Sequence, residues 1–143
     1  MTRTMHTAAR RLPGGPLGVR RRRALAAIEA VVALNALGGM VYALGGASQV
    51  PTEWLQGTPF ESYLIPGLYL GVAVGGTCLG AAWITLRRPD RARAAALGAS
   101  AVTVSWILAQ VAMIGYRSPL QPLVAVTGLA LAYLAARPQP TRP

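Results

Sequence analysis

The chain has 143 residues, a net charge of +10, 53% hydrophobic residues and a mean hydropathy of +0.42. Only 13% of its residues are charged, against roughly a quarter in ordinary soluble domains, which argues against a water-soluble globular fold. A single cysteine, Cys78, excludes an internal disulfide, and a single histidine, His6, excludes a histidine-ligated haem or a clustered zinc site within the chain.

The charges are segregated, and four apolar runs lie between them: Ala24 to Leu44, Leu64 to Leu86, Ala94 to Tyr116 and Leu120 to Ala136. The first three reach the roughly 20 residues that cross a hydrocarbon core, while the fourth is near the lower limit of about 17. The expected fold is therefore all-α, an integral membrane four-helix bundle over residues 20–137, with helices at about 24–44, 64–86, 94–116 and 120–136. Of the 14 arginines, only Arg117 lies in a loop on one side; Arg3, Arg10, Arg11, Arg20 to Arg23, Arg87, Arg88, Arg91, Arg93, Arg137 and Arg142 fall on the other. The positive-inside rule places both termini and the loop between helices 2 and 3 in the cytoplasm of a cell in whose plasma membrane the chain sits. Basic charge of this kind has a topological explanation, and the spans exclude a soluble nucleic-acid binder.

Residues 1–19 mix Arg, Thr, Pro and Gly without apolar periodicity and read as a disordered basic cytoplasmic tail; residues 138–143 form a second, short cytoplasmic tail. The cluster Arg20 to Arg23 abuts the first run. It is either a site for anionic lipid head groups or a topology anchor, and the anchor is the simpler reading. The lipid bilayer is the first partner this implies. The first run is too long for the apolar region of a signal peptide and is followed by three more, so it reads as a permanent span.

Helix 1 carries Glu29 and Asn35, which at 100° per residue stand about 240° apart and cannot share a face. Asn35 lies with Gly38, Gly39 and Tyr42 on a face suited to close helix contact and one interhelical hydrogen bond. Glu29 is six residues past Arg23, about 9 Å deeper along a helix. A carboxylate there is either a proton or cation site, or a group that snorkels to a neighbouring arginine; the shallow depth favours the arginine.

The segment before helix 2, Thr58-Pro59-Phe60-Glu61, has the spelling of a capping box with proline at the first helical position. Pro66 follows within two turns, so a short interfacial helix or a kinked start to helix 2 is expected, with Trp54, Phe60 and Tyr63 at head-group level. Along helix 2, Gly67, Gly71, Gly75, Cys78, Ala82 and Thr85 fall within an arc of about 80°, a small-residue groove for close helix approach. Ala73, Gly76 and Gly80 make a second groove on roughly the opposite side. Helix 2 is thus expected at the centre of the bundle or to combine a bundle contact with an oligomer contact, and Cys78 reads as a small packing residue rather than a reactive thiol.

Asp90 is a plausible cap for helix 3. Ala99, Thr103, Trp106, Gln110, Met113 and Arg117 share another arc of about 80°, which should face the bundle, with Gln110 hydrogen-bonded to Asn35 or to a backbone carbonyl, or lining a small polar cavity. Glu29, Asn35, Thr103 and Gln110 are together the candidate polar or ion-binding residues. Arg117 is expected to pair with Glu61 or Glu53 and so link the two outer loops. Ser118-Pro119-Leu120-Gln121 repeats the capping-box spelling before helix 4, which suggests that the two hairpins are a degenerate parallel repeat. Gln121, Ala125, Gly128, Ala132 and Ala136 trace a further small-residue stripe.

The GTPFESYLIPG segment, Trp106 and Gln110, and Leu120-Gln121-Pro122 with Gly128 below it resemble a group of small, uncharacterised bacterial four-span membrane proteins of actinobacterial type. The resemblance covers helices 2 to 4 and implies fold and topology, without a mechanism.

No Ser/His/Asp set, CxxC pair, intrahelical carboxylate pair or phosphate loop is present in the sequence. The expected function is accordingly non-enzymatic, with no catalytic residues, cofactor or metal: a multi-pass protein acting through helix contacts as an accessory subunit, scaffold or homo-oligomer. The alternative is a small-molecule or proton-coupled transporter using Glu29 and a polar face at Gln110, similar in outline to small multidrug exporters but with a shallower carboxylate and a stronger arginine bias. A lipid- or quinone-modifying enzyme would have to work with Glu53, Glu61, Arg117 and the outer aromatics at the membrane surface.

Overall fold

The computed structural model describes residues 17–138. Four helices account for it: α1 (Val19–Leu44), α2 (Leu64–Arg87), α3 (Ala92–Ile114) and α4 (Leu120–Ala136). The first three are long and apolar enough to cross a membrane, and the fourth is apolar but 17 residues long. Residues 1–16, which carry most of the expected disordered tail, and 139–143 lie outside the described residues.

α1 starts earlier than the apolar run, so Arg20 to Arg23 form its first turn. Basic residues at a helix N-terminus oppose the macrodipole, but Arg21 reaches across to the C-terminus of α4. It donates hydrogen bonds to the carbonyls of Arg137 at 2.7 Å and Pro138 at 3.3 Å, where a cation is favoured. At its other end α1 closes with a Schellman arrangement. Gly46 sits at φ 91°, its N–H donating to the Ala43 carbonyl and the Ala47 N–H to that of Tyr42, a geometry that a residue without Cβ adopts at little cost.

The connection to α2 differs from its sequence reading. A single 3-10 turn, Thr52–Leu55, is the only helical piece in it. Thr58 caps nothing downstream: its hydroxyl donates to the Leu55 carbonyl at 2.7 Å and accepts from the Phe60 N–H at 3.3 Å, a local turn that satisfies the hydroxyl before a helix can use it. The helix begins at Leu64, so Pro66 occupies its first turn, where a missing N–H costs nothing. Before α4 the same spelling does form a box. Ser118 Oγ accepts from the Leu120 N–H at 3.2 Å, and Gln121 Oε1 accepts from the N–H groups of Ser118 at 3.3 Å and Arg117 at 2.8 Å. Asp90, expected to cap α3, makes no cap hydrogen bond and lies 3.8 Å from the exposed Arg91 side chain.

The helices pack in sequence, α1 on α2, α2 on α3 and α3 on α4, with a thinner contact between α4 and α1. Residues Leu70–Gly75 of α2 form a π-helical turn, in which the Gly76 N–H reaches back to Gly71. The interior is built from small side chains, among them Ala33, Ala36, Cys78, Ala96, Ala99 and Ala135, so the backbones lie close. Outside, Leu34, Val72, Trp83, Leu108 and Leu129 are each more than half exposed. Apolar surface on this scale, all around a helical body, suits a hydrocarbon surrounding rather than water.

Candidate functional site

The small residues of α2 lie against α1. A Cβ on Gly67 would run into the Ala43 methyl, one on Gly71 into the Met40 side chain, and one on Gly75 would come within 3.3–3.4 Å of Leu37 and Ala36. Cys78, Ala82 and Thr85 continue the same buried face. The Cys78 sulfur is 3.6 Å from Thr103 Oγ1 on α3, and Thr103 also donates to the Ala99 carbonyl of its own helix at 2.8 Å. The opposite face is open: a Cβ at Gly76 or Gly80 would meet nothing within 4 Å.

Glu29 is fully buried, and its partner is Thr85, whose hydroxyl donates to Oε1 at 3.2 Å. Its second oxygen, Oε2, has no hydrogen-bond partner. No arginine pairs with it among the described residues, where the one ion pair is Asp90 with Arg91, so the snorkelling interpretation is corrected. The inward rotation of the Glu29 face towards α2 puts the carboxyl in the α1–α2 seam, and the neighbouring arginines stay at the helix end.

At the opposite end the four helices diverge around a cavity of about 520 Å³, within the range of small-molecule sites. Val32, Leu70, Val74 and Ile107 give it an apolar floor, and Trp106, with its ring stacked on Tyr69 at 5.2 Å between centroids, forms one wall. Asn35 and Gln110 both line it, yet no hydrogen bond joins them. Asn35, Gly38 and Tyr42 make an exposed lip on α1, so the face read as a close helix contact is one side of an opening. The candidate polar residues are therefore distributed over three places: Glu29 with Thr85, Thr103 with Cys78, and Asn35 and Gln110 on the cavity wall.

The mouth of the cavity corrects the expected loop ion pair. Arg117 pairs with neither Glu61 nor Glu53; its Nε donates to the Ile114 carbonyl at 2.8 Å, and its guanidinium lies 5.9 Å from the centroid of the Trp54 ring. The free carbonyls at the end of α3 attract the cation and the indole face covers it, while Glu61 stays exposed. Tyr63 stands beside them, its hydroxyl donating to the Pro51 carbonyl at 2.7 Å. Partial desolvation, then the nearby Glu53 charge, hold this phenol above its ordinary range, with Arg117 acting the other way. Sequence reasoning missed Ser100, which is buried and donates to the Gly128 carbonyl at 2.7 Å. A lone serine 28 positions from its glycine partner carries no period of its own; only the α3–α4 contact brings them together.

Comparison with protein-family models, with curated proteins and with solved structures finds no match.

Proposed function

We propose that this chain is a four-span protein of the plasma membrane, with both termini and the α2–α3 loop in the cytoplasm, that acts without catalysis through contacts between helices. α4, at 17 residues, spans by standing upright, and the arginine-rich end faces the cytoplasm by the positive-inside rule. The observation that carries the contact reading is the second face of α2. Gly67, Gly71 and Gly75 are used against α1, while Gly76 and Gly80 leave room for another backbone to approach. The partner on that face is a second copy of the chain or another membrane protein.

Cross-linking in cells, followed by purification in mild detergent, tests this. Replacing both Gly76 and Gly80 with Leu should abolish the cross-linked species and leave the monomer's thermal transition in place. A strictly monomeric chain that cross-links to nothing would sink the reading.

A second reading, proton- or cation-coupled transport, is favoured by one observation: Glu29 is fully buried with a single hydroxyl donor and no arginine. Carboxyl groups placed in this way in membrane helices serve as proton and cation sites. In proteoliposomes Glu29→Gln should abolish pH-driven substrate flux and keep the fold; flux that survives the substitution rules this reading out.

A further inference from the structure

We propose that the cavity binds one anionic phospholipid, with the phosphate at Arg117 and one acyl chain lying along the apolar floor towards Val74. The inference goes beyond the contact function and rests on the four-span topology, which puts the cavity in the leaflet away from the arginine-rich end.

Three zones are stacked in the order a glycerophospholipid requires. At the mouth, Arg117 is a cation without a carboxylate: Nε is held by the Ile114 carbonyl, the ring of Trp54 lies on one side, and neither outer-loop glutamate reaches it. Arg117 is exposed at the mouth, so a guanidinium held at the edge of a membrane in this way is open to an anion, and its remaining donors match phosphate oxygens. One turn deeper, Gln110 is four residues before Ile114, about 6 Å along the helix, and its amide makes no hydrogen bond among the described residues. A carboxamide in hydrocarbon seeks a hydrogen bond, and the ester carbonyls of a glycerolipid lie next below its phosphate. Below that, Leu70, Val74 and Ile107 offer only apolar surface.

The route of access separates a lipid from a water-soluble anion. α1 and α4 are joined at the arginine-rich end by Arg21, and at the cavity the α1 side is an exposed lip containing Gly38. The opening is therefore lateral, between two helices that face lipid tails. Free phosphate would use the mouth and leave the floor empty. An uncharged apolar molecule would use the floor and leave Arg117 without a counter-ion.

The test uses the full chain in nanodiscs with Trp54→Phe, which keeps an aromatic face beside Arg117, and Trp83→Phe, so that Trp106, buried in the cavity wall, is the one tryptophan. The probes are phosphatidylglycerol and phosphatidylcholine, each brominated in one acyl chain, titrated at equal mole fraction into unlabelled lipid. Trp106 should be quenched at about fivefold lower mole fraction by the anionic probe, the factor that one arginine near an anionic head group provides. Arg117→Gln should bring the two probes together. Gly38→Phe, whose Cβ meets nothing within 4 Å, should fill the opening and remove the quenching by both, with the thermal transition unchanged. Equal quenching by the two probes in the chain retaining Arg117 overturns the proposal. So does quenching that Gly38→Phe leaves intact, or no quenching at all. Added inorganic phosphate that displaces the anionic probe's advantage without a lipid requirement assigns the mouth to free anions and also overturns it. The topology is tested separately by protease access to the two termini in sealed vesicles, so failure of one is distinguishable from failure of the other.

Discussion

α1 has two neighbours and treats them differently. Towards α2 it presents Ala36, Gly39, Met40 and Ala43, and α2 answers with Gly67, Gly71 and Gly75, so the helices touch along the whole seam. On the cavity side it presents Asn35, Gly38 and Tyr42, all exposed, with nothing within 4 Å of a Cβ on Gly38, while Arg21 ties α1 to the end of α4 at the arginine-rich end. Without a hydrophobic drive between helices in lipid, close approach depends on small residues facing each other on both partners. Gly38 has none opposite it, and a cavity stands where a contact could have been.

The largest effect should come from breaking the tight seam. Gly71→Leu drives four extra carbons into Met40 and should cost about 1–3 kcal/mol or more in a detergent unfolding titration, with insertion and topology kept. A variant as stable as the parent would contradict the close seam. Thr85→Val acts on the same seam at its polar point. It removes the one donor to Glu29 and should cost about 1–3 kcal/mol, the penalty for an orphaned buried group. Combining it with Glu29→Leu should recover part of that loss, because an apolar pair leaves nothing unsatisfied; a purely additive double variant would show that the two side chains do not interact.

The open seam should respond weakly. Gly38→Ala adds a methyl to empty space and removes backbone freedom from the unfolded chain, for a gain of about 0.4–1 kcal/mol. A loss of stability there would mean that α4 approaches α1 more closely than the cavity allows. Arg21→Ala removes the clasp at the closed end of the seam, and about 0.3–1 kcal/mol is expected from a cation lost at the C-terminus of α4. Disulfide trapping between Cys pairs introduced at α1 and α4 would read the resulting separation, which should increase.

Much of the fold was legible because helical period is a local property. The inward faces of α2 and the middle of α3 follow from the spacing of small and polar residues, and Gly67, Gly71, Gly75, Cys78, Ala99, Thr103 and Trp106 are buried, whereas Met113 and Arg117 at the outer end of the same α3 arc are exposed. The motif spelling was less dependable. Thr58-Pro59-Phe60-Glu61 and Ser118-Pro119-Leu120-Gln121 look alike, but only the second caps a helix. Counted from the observed starts, Ser62-Tyr63-Leu64-Ile65-Pro66 corresponds to Ser118-Pro119-Leu120-Gln121-Pro122, with proline third in both helices. Ile65 stands where Gln121 supplies the cap, so the first hairpin has no carboxamide to reach back. Thr58 is four residues too early and is consumed by its own turn.

Helix number and length, the gathering of arginines at one end and the inward faces of α2 and the middle of α3 were determined by the sequence itself, since each depends only on residues within one run and on a rise and rotation common to all α-helices. The partners of Glu29 and Arg117, the closed and open sides of α1, and the cavity between them were decided only in the tertiary structure. Those depend on how far each helix is rotated and shifted against its neighbours, which is set by side chains meeting across a seam. A carboxyl six residues from an arginine can still turn to a threonine 56 positions away.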